Sequence, residues 1–140
     1  MRFQMEVART RMAPDEVLEQ AVALGCTLTG AAGATVEMAE GPDLIVRAAA
    51  GLVASRLGAR GPRAGTFTGR CLAEGTSRLG PEVPAPADPG PSWAGDGELP
   101  SLLAVPLHHE GNAIGALKVV SPEPGAFGEG DVEALSLLAD

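Results

Sequence analysis

The sequence predicts an α+β fold built on a central antiparallel sheet that is covered on both faces. Three patterns carry this. Residues 101–127, SLLAVPLHHEGNAIGALKVVSPEPGAF, place Leu102, Leu103, Ala104, Val105 and Leu107 in one strand and Ile114, Ala116, Leu117, Val119 and Val120 in the next. Both strands are too apolar for a face open to water. Residues 108–112 join them as a hairpin at the centre of the sheet, with Gly111 and Asn112 expected to take the positive φ of a tight turn. A second hairpin occupies residues 34–50. There Ala34, Val36 and Met38 alternate with Thr35, Glu37 and Ala39, and after the turn at Glu40-Gly41-Pro42-Asp43 the set Leu44, Val46, Ala48 and Ala50 alternates with Ile45, Arg47 and Ala49. The third pattern is helical. Val17, Leu18, Ala21, Val22, Leu24, Gly25 and Leu28 make one stripe over residues 13–29, with Pro14, Asp15 and Glu16 in the first turn and Gly30 and Gly33 ending it.

Size and charge bound the function. A chain of 140 residues makes one domain, with residues 14–140 as its body and residues 1–13 as a lead-in for which a helix is one reading. Its net charge of −8 argues against general nucleic-acid binding, because a phosphate-reading surface is basic. No apolar run approaches the roughly 20 residues of a membrane span, and the first 12 residues lack the apolar core of a signal peptide. The expected location is the cytoplasm. Cys26 and Cys71 lack CxxC spacing and are expected as reduced thiols without a disulfide.

The order S-x-L-x-V-P-L, then G-N-x-x-G-x-L, then S-P-x-x-x-x-F and an acidic helix start, as it stands in residues 101–131, resembles the last third of a GAF domain. Upstream, the order helix, hairpin, irregular crossover, hairpin, helix is similar to the same family over residues 14–139. That resemblance implies a profilin/PAS-like architecture with a sheet of five or six strands. It also implies terminal helices on one face and a crossover with a pocket on the other. The final helix, with Val132, Leu135, Leu138 and Ala139 on one side, stops mid-pattern. This is expected of a segment that leads into an output domain of a longer signalling protein, with a frayed terminal helix as the alternative.

Chemistry is expected in the crossover, residues 52–100. Arg56, Arg60, Arg63, Arg70 and Arg78 face only Glu74 across residues 56–78, whereas Glu82, Asp88, Asp96 and Glu98 meet no basic residue from 81 to 100. Guanidiniums in that density suit an anionic small molecule, and they equally suit a solvated surface. Residues 65–75 read as a loop entering a short helix, with Thr66 or Thr68 as N-cap and Gly75 closing it. In GAF domains the equivalent helix flanks the pocket, so the resemblance makes Phe67, Arg70 and Cys71 lining residues. Phe67 in the core is the competing reading. Trp93, in a Pro-rich stretch, either docks on the sheet or stacks on a planar ligand. With Arg63, Arg78 and Asp96 these complete the candidate ligand-binding set.

The specific chemistries of the family each need particular residues at set positions. Bilin attachment needs a thiol followed by histidine, but Cys26 precedes Thr27 and Cys71 precedes Leu72. His108 and His109 fall at a hairpin tip, where imidazoles are solvated more simply than they are haem ligands. The Asn-Lys-Phe-Asp-Glu signature of cyclic-nucleotide members is absent. Gly69-Arg70-Cys71 lies where free methionine sulfoxide reductases have glycine-valine-cysteine, yet Gly95 precedes Asp96 where that group has its second cysteine. The reading is a non-enzymatic sensory or regulatory domain without a cofactor or metal. It binds a small molecule under the crossover and signals through its terminal helices to a linked output domain or a homodimer partner. A ligand-free dimerisation scaffold and a redox-responsive thiol protein are the alternatives.

Overall fold

A computed structural model describes residues 15–80 and 99–139. The chain runs through helix α1 (Asp15–Thr29), strands β1 (Gly33–Glu40) and β2 (Asp43–Gly51), and a 3-10 turn (Ala54–Arg56). Strand β3 (Arg60–Pro62), helix α2 (Phe67–Glu74) and strand β4 (Arg78–Gly80) follow. Strands β5 (Ser101–His109) and β6 (Asn112–Ser121) and helix α3 (Glu129–Ala139) complete it. The strands form one six-stranded antiparallel sheet in the order β3-β2-β1-β6-β5-β4. The central pair is therefore β1 and β6. The 101–127 hairpin supplies only one of those two strands, since β5 lies one place further out and is covered at its edge by β4.

Helices α1 and α3 pack together on one face of the sheet. Leu18, Ala21 and Val22 of α1 and Leu135, Leu138 and Ala139 of α3 meet Val36, Leu103, Val105, Leu117 and Val119 in one apolar core. Phe127 joins it, and the segment before α3 is held by Ser101, whose hydroxyl donates to the Glu123 carbonyl at 2.6 Å and accepts from the Ala126 amide at 3.1 Å. This gives the S-P-x-x-x-x-F pattern its physical sense: it seats an aromatic ring at the helix entrance. The short helix α2 packs on the opposite face, against β5 and β6.

The structure departs from the sequence pattern in three places. Leu28 is 49% exposed, because the buried stripe of α1 steps from Leu18 through Val22 to Gly25 and Leu28 lies to its side. The hairpin turn uses Glu110 (φ 53°) and Gly111 (φ 84°), not Gly111 and Asn112. His109 pairs with Asn112, which leaves a two-residue loop whose central residues both need positive φ. In β2 the simple alternation breaks at Arg47. Val36 pairs with Ala48 while Glu37 pairs with Val46, so Arg47 is a bulged extra residue. Ala48 and Ala50 therefore share the helix-covered face with Val36 and Ala34, while Leu44 and Val46 turn to the other.

Two glycines separate helix propensity from close packing. A Cβ at Gly25 would meet Leu135 and Val119 at 3.5 Å, ordinary contact, whereas one at Gly69 would run into the Arg63 carbonyl oxygen. Gly25→Ala is expected to raise unfolding free energy by about 0.5–1 kcal/mol through helix propensity alone. Gly69→Ala should lower it. Urea titration followed by circular dichroism measures both.

Candidate functional site

The face under α2 carries charge, whereas the described core residues under α1 and α3 are apolar. Directly opposite residues share a face, so Thr35 of β1, Lys118 of β6, Ala104 of β5 and Arg78 of β4 form one row across four strands. Glu37 heads the neighbouring row, opposite Ala116. Ala104 and Ala116 are small, and α2 seats Cys71 and Phe67 on them. Val53, Leu102 and Val120 extend the apolar lining, with Phe67 and Leu99 packed against them. The helix is held in place by its ends. Thr66 caps it by accepting from the Gly69 amide at 2.8 Å while donating to the Arg63 carbonyl at 2.8 Å, and Gly75 closes it in the left-handed conformation (φ 69°).

Glu37 and Lys118 form the centre of this face. Each is 1% exposed, and Lys118 Nζ lies 2.6 Å from Glu37 Oε2. The Thr35 hydroxyl donates to the same oxygen at 2.8 Å. Burial alone would push the Glu37 carboxyl up, but the Lys118 charge and hydrogen bond, with the hydroxyls of Thr35 and Thr68, hold it below the usual carboxylate range. The Thr68 hydroxyl, in the first turn of α2, stands close enough to favour the ionised form without completing a hydrogen bond of ordinary geometry. Glu37 Oε1 and Thr68 Oγ1 are both buried without a hydrogen-bond partner among the described residues.

Of the sequence candidates, the structure brings together Phe67, Cys71 and Arg78. The Arg78 guanidinium lies 5.9 Å from the Phe67 ring centroid and bonds Glu74 at 2.7 Å, and Phe67 packs beside Cys71. Arg63 acts through its backbone, in the α2 cap and in a bond from its amide to the Pro42 carbonyl. Arg70 is exposed on α2. Trp93 and Asp96 lie outside the described residues. Of the crossover arginines, Arg60 is paired outside the crossover, with Glu40 at 2.8 Å and Asp43 at 3.1 Å. His108 reaches the end of α2 beside Gly75, and His109 lies 3.5 Å from Glu110. A cleft of about 290 Å³ opens elsewhere, between Gly80, Ser101 and Phe127 at the β4 edge.

Glu37, Lys118, Thr35 and Thr68 form no sequence motif that marks them as site residues. The available signal was an acid and a lysine within strands too apolar to face water, where opposite charges must meet. Cys71 is fully buried, and burial, with a lowering contribution from Arg78 and raising ones from Glu74 and Glu37, pushes its thiol up to about 12. Cys26 packs against the opposite face of the sheet. Among the described residues no cluster of His, Cys, Asp and Glu has the makings of a metal site, and no helix is long and apolar enough to cross a membrane.

The family model described as GAF domain matches residues 12–140. The chain belongs to the GAF family. Among curated proteins none matches it. The GAF-B domain of DevS from Mycobacterium smegmatis is similar in structure, with a TM-score of 0.70 and 24% identity over 89% of this chain and 86% of that one. A free methionine-R-sulfoxide reductase from Neisseria meningitidis has a TM-score of 0.72 and 20% identity over 98% and 81%. The GAF domain of a phosphoenolpyruvate-protein phosphotransferase from Coxiella burnetii has a TM-score of 0.72 and 18% identity over 98% and 88%. At these identities the likeness shows the fold, which sensors and reductases share. In this GAF domain the polar centre is the Glu37–Lys118 pair.

Removing one partner of that pair strands a buried charge. Glu37→Gln is expected to cost about 3–5 kcal/mol, and the double variant with Lys118→Met far less, as denaturant titration measures. Because the folded carboxyl is held below its unfolded value of about 4.3, its stabilising contribution is complete above that pH and is lost as pH falls through the folded pKa. The double variant should therefore lose less stability between neutral pH and pH 3 than the wild-type protein. Thiol labelling offers a second check. At pH 7.5 Cys71 should react with iodoacetamide only as the protein opens, and addition of urea should release it.

Proposed function

We propose that this GAF domain is a non-enzymatic sensor. It takes a small molecule under the crossover, against the face that carries Glu37 and Lys118, and passes its state through α1 and α3 to a linked output domain or to a second copy. The observation that supports this most directly is the buried polar centre itself. A scaffold needs only apolar filling between sheet and helix. Here the sheet instead buries an ion pair and two unpaired polar atoms beneath a short helix seated on alanines. Sensor-kinase GAF domains share the fold, as in the two-component sensor histidine kinase from Bacillus halodurans.

Linkage sets what such a site does. A ligand that binds better when α2 is in one position shifts the population of that position by no more than its difference in affinity. Sheet strands β1 and β6 carry the site on one face and contact α1 on the other, so a change in their packing reaches the terminal helices directly. Exposed Leu28 and Leu137, on α1 and α3, support those helices as the contact with a partner. A cytoplasmic setting belongs to the same reading.

The reductases with this fold suggest thiol chemistry as the competing function. Two features count against it. A thiol with a pKa of about 12 is ionised in only about one molecule in 10⁵ at neutral pH, and the thiolate is the nucleophile. Cys26, the other thiol, lies across the sheet and has no path to resolve a Cys71 intermediate.

Native mass spectrometry of gently purified protein tests the sensor reading. The expected spectrum holds a small non-covalent adduct that disappears after denaturation and refolding. A dimer with no adduct under any purification would replace the sensor with the scaffold. Turnover of free methionine-R-sulfoxide that Cys71→Ser abolishes would replace it with the enzyme.

A further inference from the structure

Resting on the reading of the face under α2 as a ligand site, we infer that its ligand presents a net-neutral amide head, an N–H donor beside a C=O acceptor, on an apolar body. Glu37 Oε1 and Thr68 Oγ1 carry the argument. Both atoms are buried without a hydrogen-bond partner among the described residues, and the two residues are 1% and 0% exposed. The Thr68 hydroxyl stands near enough to Glu37 to help hold its carboxyl ionised. A carboxylate oxygen requires a donor, whereas a hydroxyl both gives and takes. An amide edge meets both demands at once: its N–H donates to Glu37 Oε1 and its carbonyl accepts the Thr68 O–H.

Charge selects among the other heads. Lys118 already neutralises Glu37 at 2.6 Å, and Glu74 bonds Arg78 at 2.7 Å. An added ammonium or carboxylate would enter this layer as uncompensated charge, at a high desolvation cost. An anionic ligand, which the arginine content of the crossover suggests, therefore fits the described residues less well than a neutral one. Val53, Leu102, Val120 and Phe67 supply an apolar wall for the body of the molecule. Helix α2 is the element that lifts to admit it. Its inner side chains are Thr68, Cys71 and Leu72, and Cys71 rests on the small residues Ala104 and Ala116, so a shift of this one short helix uncovers the site without disturbing the sheet.

A ¹H–¹⁵N NMR titration with ε-caprolactam tests the inference, alongside N-methylcaprolactam, hexylamine and hexanoate. The lactam is expected to shift amides of residues 67–74, 35–37 and 116–118, and loss of its N–H by methylation should weaken binding about fivefold. Thr68→Val, which swaps the hydroxyl for a methyl of the same shape, should weaken lactam binding by a similar factor while the folded amide spectrum of residues 35–37 and 116–118 is retained. Equal binding of the methylated lactam overturns the inference. So do an unchanged affinity in Thr68→Val, shifts that map elsewhere, or no binding of the lactam. Binding of hexylamine or hexanoate at the same amides in place of the lactam removes the amide head and leaves the ligand site standing. Failure of the sensor reading is recorded separately, by the missing adduct in the mass spectrum.

Discussion

A carboxylate and an ammonium group 2.6 Å apart in the middle of the sheet, both withdrawn from water, constrain everything around them. Neither charge is tolerable there alone, so the pairing of β1 with β6 must bring them onto the same face. A slip of one residue between those strands would turn Glu37 into the apolar layer under α1 and α3, where no cation is present among the described core residues. The pair therefore penalises the commonest error open to an antiparallel sheet. It also requires a cover, and α2 provides that cover with its caps at Thr66 and Gly75.

The two faces of the sheet divide the work. One is a continuous apolar core shared by α1, α3 and the four inner strands, and it supplies stability. The other is a thin layer with two separate small apolar clusters and a polar centre. Groups that are buried yet unpaired reduce stability, and their natural place is where a ligand or a moving element will later satisfy them. The bulge at Arg47 belongs to this arrangement. It moves Leu44 and Val46 to the same face as Glu37 while keeping Ala48 and Ala50 in the core, so a single strand serves both layers.

A GAF domain of DevS and a free methionine-R-sulfoxide reductase share this fold, so the fold by itself does not select a chemistry. In this chain the thiol on the face under α2 is raised far above neutrality by burial, while the groups that remain ionised are held in pairs. Strands β1 and β6 belong to both faces, so the packing of one layer bears directly on the other.

Local pattern determined much of this protein. Apolar strands at 102–107 and 114–120, the stripe from Leu18 to Gly25, the Thr66 cap and the Gly75 stop are each readable from neighbours a few residues apart, because helix and strand periodicities are local properties. Phe67, Cys71 and Arg78 were legible as crossover residues for the same reason, with the family resemblance placing them near a pocket. The tertiary structure alone decided that Glu37 meets Lys118, 81 positions away in the chain, and that Arg60 is taken by Glu40 and Asp43. It also decided which side of β2 faces the core, since one bulged residue reverses every assignment beyond it. Register and burial are sums over the whole sheet, so the strand pattern alone could not say which cation Glu37 would meet or on which face.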